Sequence, residues 1–169
     1  LRQPGSSIKP IAYATALEKG YTAATLIMDT PTTFPGGEEN KDYAPKNYDG
    51  KFHGPLQLRF ALGSSINIPA VKLLALVGVK NMLATAYNMG ISSFEPTQDN
   101  INRFGLSLTL GGGDVKPLEL AAAYTAFANQ GFRSEPIAIL KVTDPKGKVL
   151  FEQKEASKKR VFSSGIAFI

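Results

Sequence analysis

Three prolines and three glycines punctuate this chain in a way that forces much of it into helices. Pro10, Pro69 and Pro117 stand at the start of apolar-rich segments, and Gly20, Gly78 and Gly131 stand just past their ends. Proline has no N–H to donate and is harmless only in a helix's first turn, whereas glycine adopts the left-handed conformation that closes one. In the first segment Ile8, Ile11, Ala12 and Thr15 or Ala16 recur at helical spacing, and Pro10 restricts the start to Ser6 or Ser7. The second helix runs from Pro69 through Leu76, and a third follows to Gly90. The segment from Pro117 to Ala128 puts Leu120, Ala123, Tyr124 and Phe127 on one face. A short helix is expected over Leu56 to Leu62, broken by Gly63-Ser64-Ser65-Ile66-Asn67.

Elsewhere the pattern changes. Ile137, Ile139 and Leu140 lead into the turn sequence Asp144-Pro145-Lys146-Gly147, followed by Val149-Leu150-Phe151, which predicts a β-hairpin between Pro136 and Lys154. From Asp29 to Gly54 the residues Pro31, Pro35, Gly36, Gly37, Pro45, Asn47 and Gly50 predict a long surface excursion. Its aromatics Phe34, Tyr43 and Tyr48 argue for an ordered, packed loop. Ser92 to Phe104 reads as irregular, and Lys158-Lys159-Arg160 as a solvated turn. Gly111-Gly112-Gly113 reads as a tight turn, since no phosphate-binding glycine pattern accompanies it.

Composition narrows the chemistry. The 169 residues contain no cysteine and a single histidine, His53, which excludes disulfides, thiol nucleophiles and multi-histidine metal centres. His53 lies among turn residues and reads as a loop-packing side chain. The net charge of +5 would favour an anionic partner, but no other feature supports nucleic acid, so none is expected as a partner. Lys72 interrupts the best apolar run, Ile66 to Val79, and the N-terminus lacks the apolar stretch of a signal peptide. Beginning at Leu1 and stopping at Phe168-Ile169, the sequence reads as a segment cut at both ends.

Two clusters carry possible chemistry. Ser6 and Lys9 stand three apart, which on one helical turn brings their Cβ atoms to about 5–6 Å. A serine hydroxyl needs a base, and a lysine serves only if burial or cationic neighbours lower its pKa from about 10.4 towards neutrality. The helix N-terminus would also offer N–H groups and positive dipole to an oxyanion beside Ser6. Ser65 and Asn67, two apart, would present both side chains to one side if the backbone between helices is extended. Their hydroxyl could relay a proton and their amide hold a carbonyl or the lysine. Taken singly, each cluster also reads as ordinary capping: Ser6 or Ser7 at one helix, Ser64, Ser65 or Asn67 at the next.

The order of the two clusters, SxxK followed by SxN, is that of the penicillin-recognising serine acyl-transferases. The resemblance extends through Arg2-Gln3-Pro4-Gly5-Ser6-Ser7-Ile8-Lys9-Pro10, Tyr43-Ala44-Pro45-Lys46-Asn47-Tyr48-Asp49 and Leu58-Arg59-Phe60-Ala61-Leu62 into Ser65-Ile66-Asn67-Ile68-Pro69-Ala70-Val71. Leu106 to Gly113 and Pro117 to Tyr124 continue it, so that it covers almost the whole chain and resembles the bifunctional, class A penicillin-binding proteins more than class B. It implies the α+β transpeptidase fold shared with serine β-lactamases, represented here by its helical part and a hairpin. It implies a DD-transpeptidase that joins peptidoglycan stem peptides ending in D-Ala-D-Ala, with β-lactams as a second acylating partner and no metal or organic cofactor. By carry-over Ser6 is the nucleophile, Lys9 the general base, Ser65 the proton shuttle, and Asn67 the residue that holds the acyl amide and steadies Lys9. Membrane anchoring on the extracytoplasmic face, through a segment outside these residues, is part of the same expectation.

Two departures qualify the resemblance. No KTG or KSG triplet follows Asn67, and Lys116 stands before Pro117 where the family more often has a capping Thr or Ser. Residues 1–169 are therefore expected to be a partial transpeptidase domain that needs the KTG strand as a partner and is inactive alone. Alternatives of the same resemblance are a DD-carboxypeptidase or β-lactamase-type hydrolase, or a non-catalytic module that binds muropeptides or β-lactams as a sensor.

Overall fold

The computed structural model describes residues 1–35, 42–153 and 157–169. Its centre is helix α1, Lys9–Glu18, preceded by a 3-10 turn, Gly5–Ile8. The expected start near Ser6 holds, although the first turn is 3-10, with Pro10 early in the α-helical part, where its missing N–H costs nothing. Every residue from Ile8 to Ala16 except Pro10 is buried, so α1 has no solvated face and forms the axis of the core.

The other helices wrap this axis. They are α2, Leu58–Gly63; α3, Asn67–Val77; α4, Val79–Asn88; α5, Gln98–Phe104; α6, Pro117–Ala128; and a short α7, Ser164–Phe168. Leu73, Leu74, Met82, Leu83, Ala86, Leu108, Ala123 and Ala126 close the core around Ile8, Ile11, Ala12 and Ala16. Helix α3 begins at Asn67, two residues before Pro69, and ends at Gly78, as the proline and glycine positions predict. Ser92–Phe104 is not irregular, since Thr97 caps α5 by accepting from Asn100 N and a 3-10 turn, Ser92–Phe94, comes before it. Phe94 and Phe104 pack edge to face at 5.3 Å, burying the apolar residues of an otherwise polar stretch.

The strands form three antiparallel pairs. Strand β1, Leu26–Asp29, pairs with β2, Gly54–Gln57, so the start of the segment expected as a helix from Leu56 is extended. Strand β3, Phe132–Ser134, pairs with β6, Lys158–Arg160. The basic run is therefore a strand and not a turn, because its backbone completes the ladder while Arg160 lies 4.0 Å over the Phe132 ring. The predicted hairpin is present as β4, Lys141–Thr143, and β5, Val149–Glu152, and Asp144 accepts the Lys146 and Lys148 N–H groups in its turn. Gly36, Gly37 and Lys154 of the expected loop and hairpin lie outside the described residues.

Phe34 and Tyr43 pair across a backbone bridge in the excursion after β1, while Tyr48 is fully exposed, contrary to expectation. Among the described residues no single helix is long and apolar enough to cross a membrane, and α3 with α4 makes a sufficient length only across a 94° bend.

Candidate active site

The 3-10 turn that leads into α1 puts Ser6 and Lys9 on one face, because side chains i and i+3 lie one above the other in that geometry. Ser6 is exposed and Lys9 is completely buried, although the two share a turn. The turn is anchored at three points. Arg2 forms a two-way backbone bridge with Val115, Tyr124 Oη donates to Ser7 O at 2.5 Å, and Gly111 approaches the Gly5 backbone in van der Waals contact. Gly111-Gly112-Gly113 is thus the tight turn that was expected, and its close approach to Gly5 explains the missing side chain.

Lys9 Nζ donates to three oxygens: Ser65 O at 2.6 Å, Ser65 Oγ at 3.2 Å and Asn67 Oδ1 at 2.8 Å. None is a carboxylate. A buried ammonium with only neutral acceptors keeps the desolvation penalty, which lowers the Lys9 pKa from 10.5 to about 8. Lys9, Ser65 and Asn67 are thus joined by direct hydrogen bonds, and Ser6 stands one turn before Lys9 in the chain.

The route to that convergence differs from the extended backbone expected for Ser65-Ile66-Asn67. Ser65 has φ +54°, in the left-handed region, and Asn67 is already the first residue of α3. Ser65 N donates to Leu62 O at 2.9 Å and Ile66 N to Ala61 O at 3.0 Å, the paired bonds that terminate a helix at a left-handed residue. Glycine is the usual occupant of that position, and a side chain there carries strain of about 1–2 kcal/mol. The strain buys a geometry in which the carbonyl and hydroxyl of Ser65 both face Lys9.

The capping reading of the SxN residues does not hold either. No side chain of Ser64, Ser65 or Asn67 caps α3; its first N–H groups, those of Asn67 and Ile68, both donate to Asn47 Oδ1 at 3.1 Å. Asn67 Nδ2 donates to Lys46 O at 2.9 Å, which leaves Oδ1 as the atom facing Lys9. Asn47 Nδ2 in turn donates to both oxygens of Asp29 at 2.8 Å and to Lys51 O. Asp29 also receives His53 N at 2.9 Å and meets His53 Nδ1 at 2.6 Å, so His53 is a loop-packing residue as expected. Sequence reading missed Asp29, a single acidic residue after an apolar run, because only its pairing partners reveal it.

Lys116 occupies the N-cap of α6 without a side-chain cap, as its identity predicts, and its ammonium instead pairs with Glu119 at 2.7 Å. Among the described residues no group of three His, Asp or Glu side chains is placed to hold a metal ion.

Known proteins share this arrangement of chain. A family model of the penicillin binding protein transpeptidase domain matches residues 2–168. Penicillin-binding protein 1A of Aquifex aeolicus is 41% identical over 152 residues, 90% of this chain and 20% of that protein. The protein of the same name from Neisseria lactamica is 39% identical over 150 residues, 88% of this chain and 18% of that protein. The chain therefore spans about a fifth of the length of these relatives. The crystal structure of penicillin-binding protein 1A from Haemophilus influenzae superposes with a TM-score of 0.86 at 30% identity, covering 99% of this chain and 28% of that one. Penicillin-binding protein A of M. tuberculosis, as its imipenem acyl-enzyme complex, shares the fold with a TM-score of 0.79 at 22% identity, covering 99% of this chain and 41% of that one. With a family match across nearly its whole length and relatives of the 1A type along most of it, the chain belongs to the penicillin-binding protein transpeptidase domain family.

Proposed function

We propose that this chain supplies the acyl-enzyme-forming residues of a DD-transpeptidase that cross-links peptidoglycan stem peptides and is acylated by β-lactams at the same serine. The observation that carries the reading is Lys9: buried, held by the neutral oxygens of Ser65 and Asn67, and one turn from an exposed Ser6. A lysine with a pKa of about 8 is partly neutral near physiological pH, which a general base requires.

In the first step Ser6 Oγ bonds to the carbonyl carbon of the penultimate D-alanine, and the C–N bond to the terminal D-alanine breaks. The serine proton passes to Lys9 and, through Ser65 Oγ, to the departing amine. In the second step the amine of a neighbouring stem peptide attacks the ester, the bond to Ser6 Oγ breaks, and the proton returns to the serine. A β-lactam follows the first step with its ring C–N bond and leaves the serine acylated. Asn67 orients Lys9 and offers its amide to the acyl side chain. Residues 1–169 contain no KTG triplet, so we assign them the serine, lysine and SxN part of a domain whose KTG strand comes from another segment. We assign the whole protein to cell-wall synthesis outside the cytoplasmic membrane, a reading that its likeness to the 1A relatives supports.

The test is the intact mass of the protein that carries this chain, before and after benzylpenicillin, with peptide mapping. The expected result is one penicilloyl adduct on Ser6, lost in Ser6→Ala and formed about 10² to 10⁴ times more slowly in Lys9→Arg, whose guanidinium stays protonated. A folded protein left unmodified at Ser6 overturns the reading.

A further inference from the structure

Asp29 stands at the end of β1 with no exposed surface, yet among the described residues no lysine or arginine pairs with it. Its carboxylate is a hub that accepts from the Asn47 amide at both oxygens and from the His53 backbone N–H, and it meets the His53 ring at 2.6 Å, where the hydrogen bond to Asp29, with Asp49 on the other ring nitrogen, raises the imidazole pKa. Burying a carboxylate this way is expensive unless each oxygen is satisfied, and the partners lie on a loop with little helix or strand of its own.

What the hub fixes is the orientation of one amide. Asn47 Oδ1 must face the N–H groups of Asn67 and Ile68, because its Nδ2 is committed to the two Asp29 oxygens and Lys51 O. A flipped amide would set its NH₂ against two N–H donors and its oxygen against a carboxylate. The start of α3 is therefore held by Asn47, and the side chain of its first residue by the adjoining Lys46 carbonyl. Asn67 Oδ1 then sits 2.8 Å from Lys9 Nζ.

We propose that Asp29 and Asn47 are positioning residues of the acylation site, acting through Asn67 to hold Lys9 in line with Ser6. The proposal rests on the reading of Ser6, Lys9 and Asn67 given above. Both residues are buried. Their work is to keep the lysine's acceptor in place through a buried relay running from Asp29 to Asn47 to Asn67 to Lys9. A misplacement of about 1 Å in such a group can cost roughly 100-fold in rate.

The experiment measures acylation of Ser6 by a fluorescent penicillin in the whole protein, scaled to the fraction of molecules that can be acylated, from about pH 6 to about pH 10. Asp29→Asn and Asn47→Ser are each expected to slow acylation about 10- to 100-fold. Both are also expected to move the rising limb of the pH profile to lower pH, because Lys9 loses an acceptor that favours its charged form. The double variant should react no more slowly than Asn47→Ser alone, since Asp29 acts through Asn47. Folded single variants with the wild-type rate and pH limb overturn the proposal. So does a wild type that is acylated while neither variant yields any acylatable protein, which would make the network one of folding alone. A wild type that takes no label at Ser6 instead overturns the acyl-transfer reading on which the proposal rests.

Discussion

Gly111 lies against the backbone of Gly5 so closely that a Cβ on it would fall 2.3 Å from Gly5 N and 2.4 Å from Gly5 Cα. The contact joins two parts of the chain far apart in sequence, and Gly5 immediately precedes Ser6. Backbone meets backbone there, so no side-chain rearrangement can make room. Gly111 also has φ +90°, a conformation that side chains rarely adopt.

Gly111→Ala is therefore expected to do more than strain its own turn. It must push the Ser6 turn off the 3-10 geometry that aligns it with Lys9. The expected loss is above about 1–3 kcal/mol of stability, and acylation by penicillin should slow more than the fraction unfolded explains. Thermal unfolding with acylation kinetics on the same sample tests this; a variant as stable and as fast as wild type would show that the two backbones separate freely.

Lys9 makes stability depend on pH in an unusual direction. Its folded pKa of about 8 lies below the ordinary 10.5, so the unfolded chain binds more protons between these values. The penalty for charging Lys9 is fully present below about pH 8 and is relieved as pH rises towards 10.5, by about 3 kcal/mol in all. Urea unfolding of wild type and Lys9→Met across that window should show the wild type alone gaining stability. Parallel curves would mean that Lys9 keeps an ordinary pKa.

Ser65 trades stability for position. Its left-handed backbone is the place for glycine at a helix end, yet its hydroxyl reaches Lys9 Nζ at 3.2 Å. Ser65→Gly is expected to match or exceed the wild type in stability, by up to about 1 kcal/mol, because strain is relieved while Lys9 keeps the carbonyl and Asn67. Acylation should fall with the missing relay. A variant destabilised by more than about 1 kcal/mol would mean that the hydroxyl holds the fold as well as the chemistry.

The sequence contained the helices more plainly than the strands. Pro10, Pro117 and the glycines at 78 and 131 act locally, through the conformations that each residue allows, and the helices between them were legible without any tertiary knowledge. Strands β1, β2, β3 and β6 were missed because three or four residues carry too little period-2 pattern, and their pairing is decided by partners up to tens of residues away. Helix α5 was hidden by its polarity, since Phe104 is the one residue it buries. The identity of Ser6, Lys9, Ser65 and Asn67 could be read as two spaced motifs, since spacing on one turn is a local property. How they meet could not. The burial that lowers the Lys9 pKa, the left-handed turn at Ser65 and the Asp29–Asn47 relay all depend on groups brought together across the fold, where packing and desolvation, not sequence distance, set the energies.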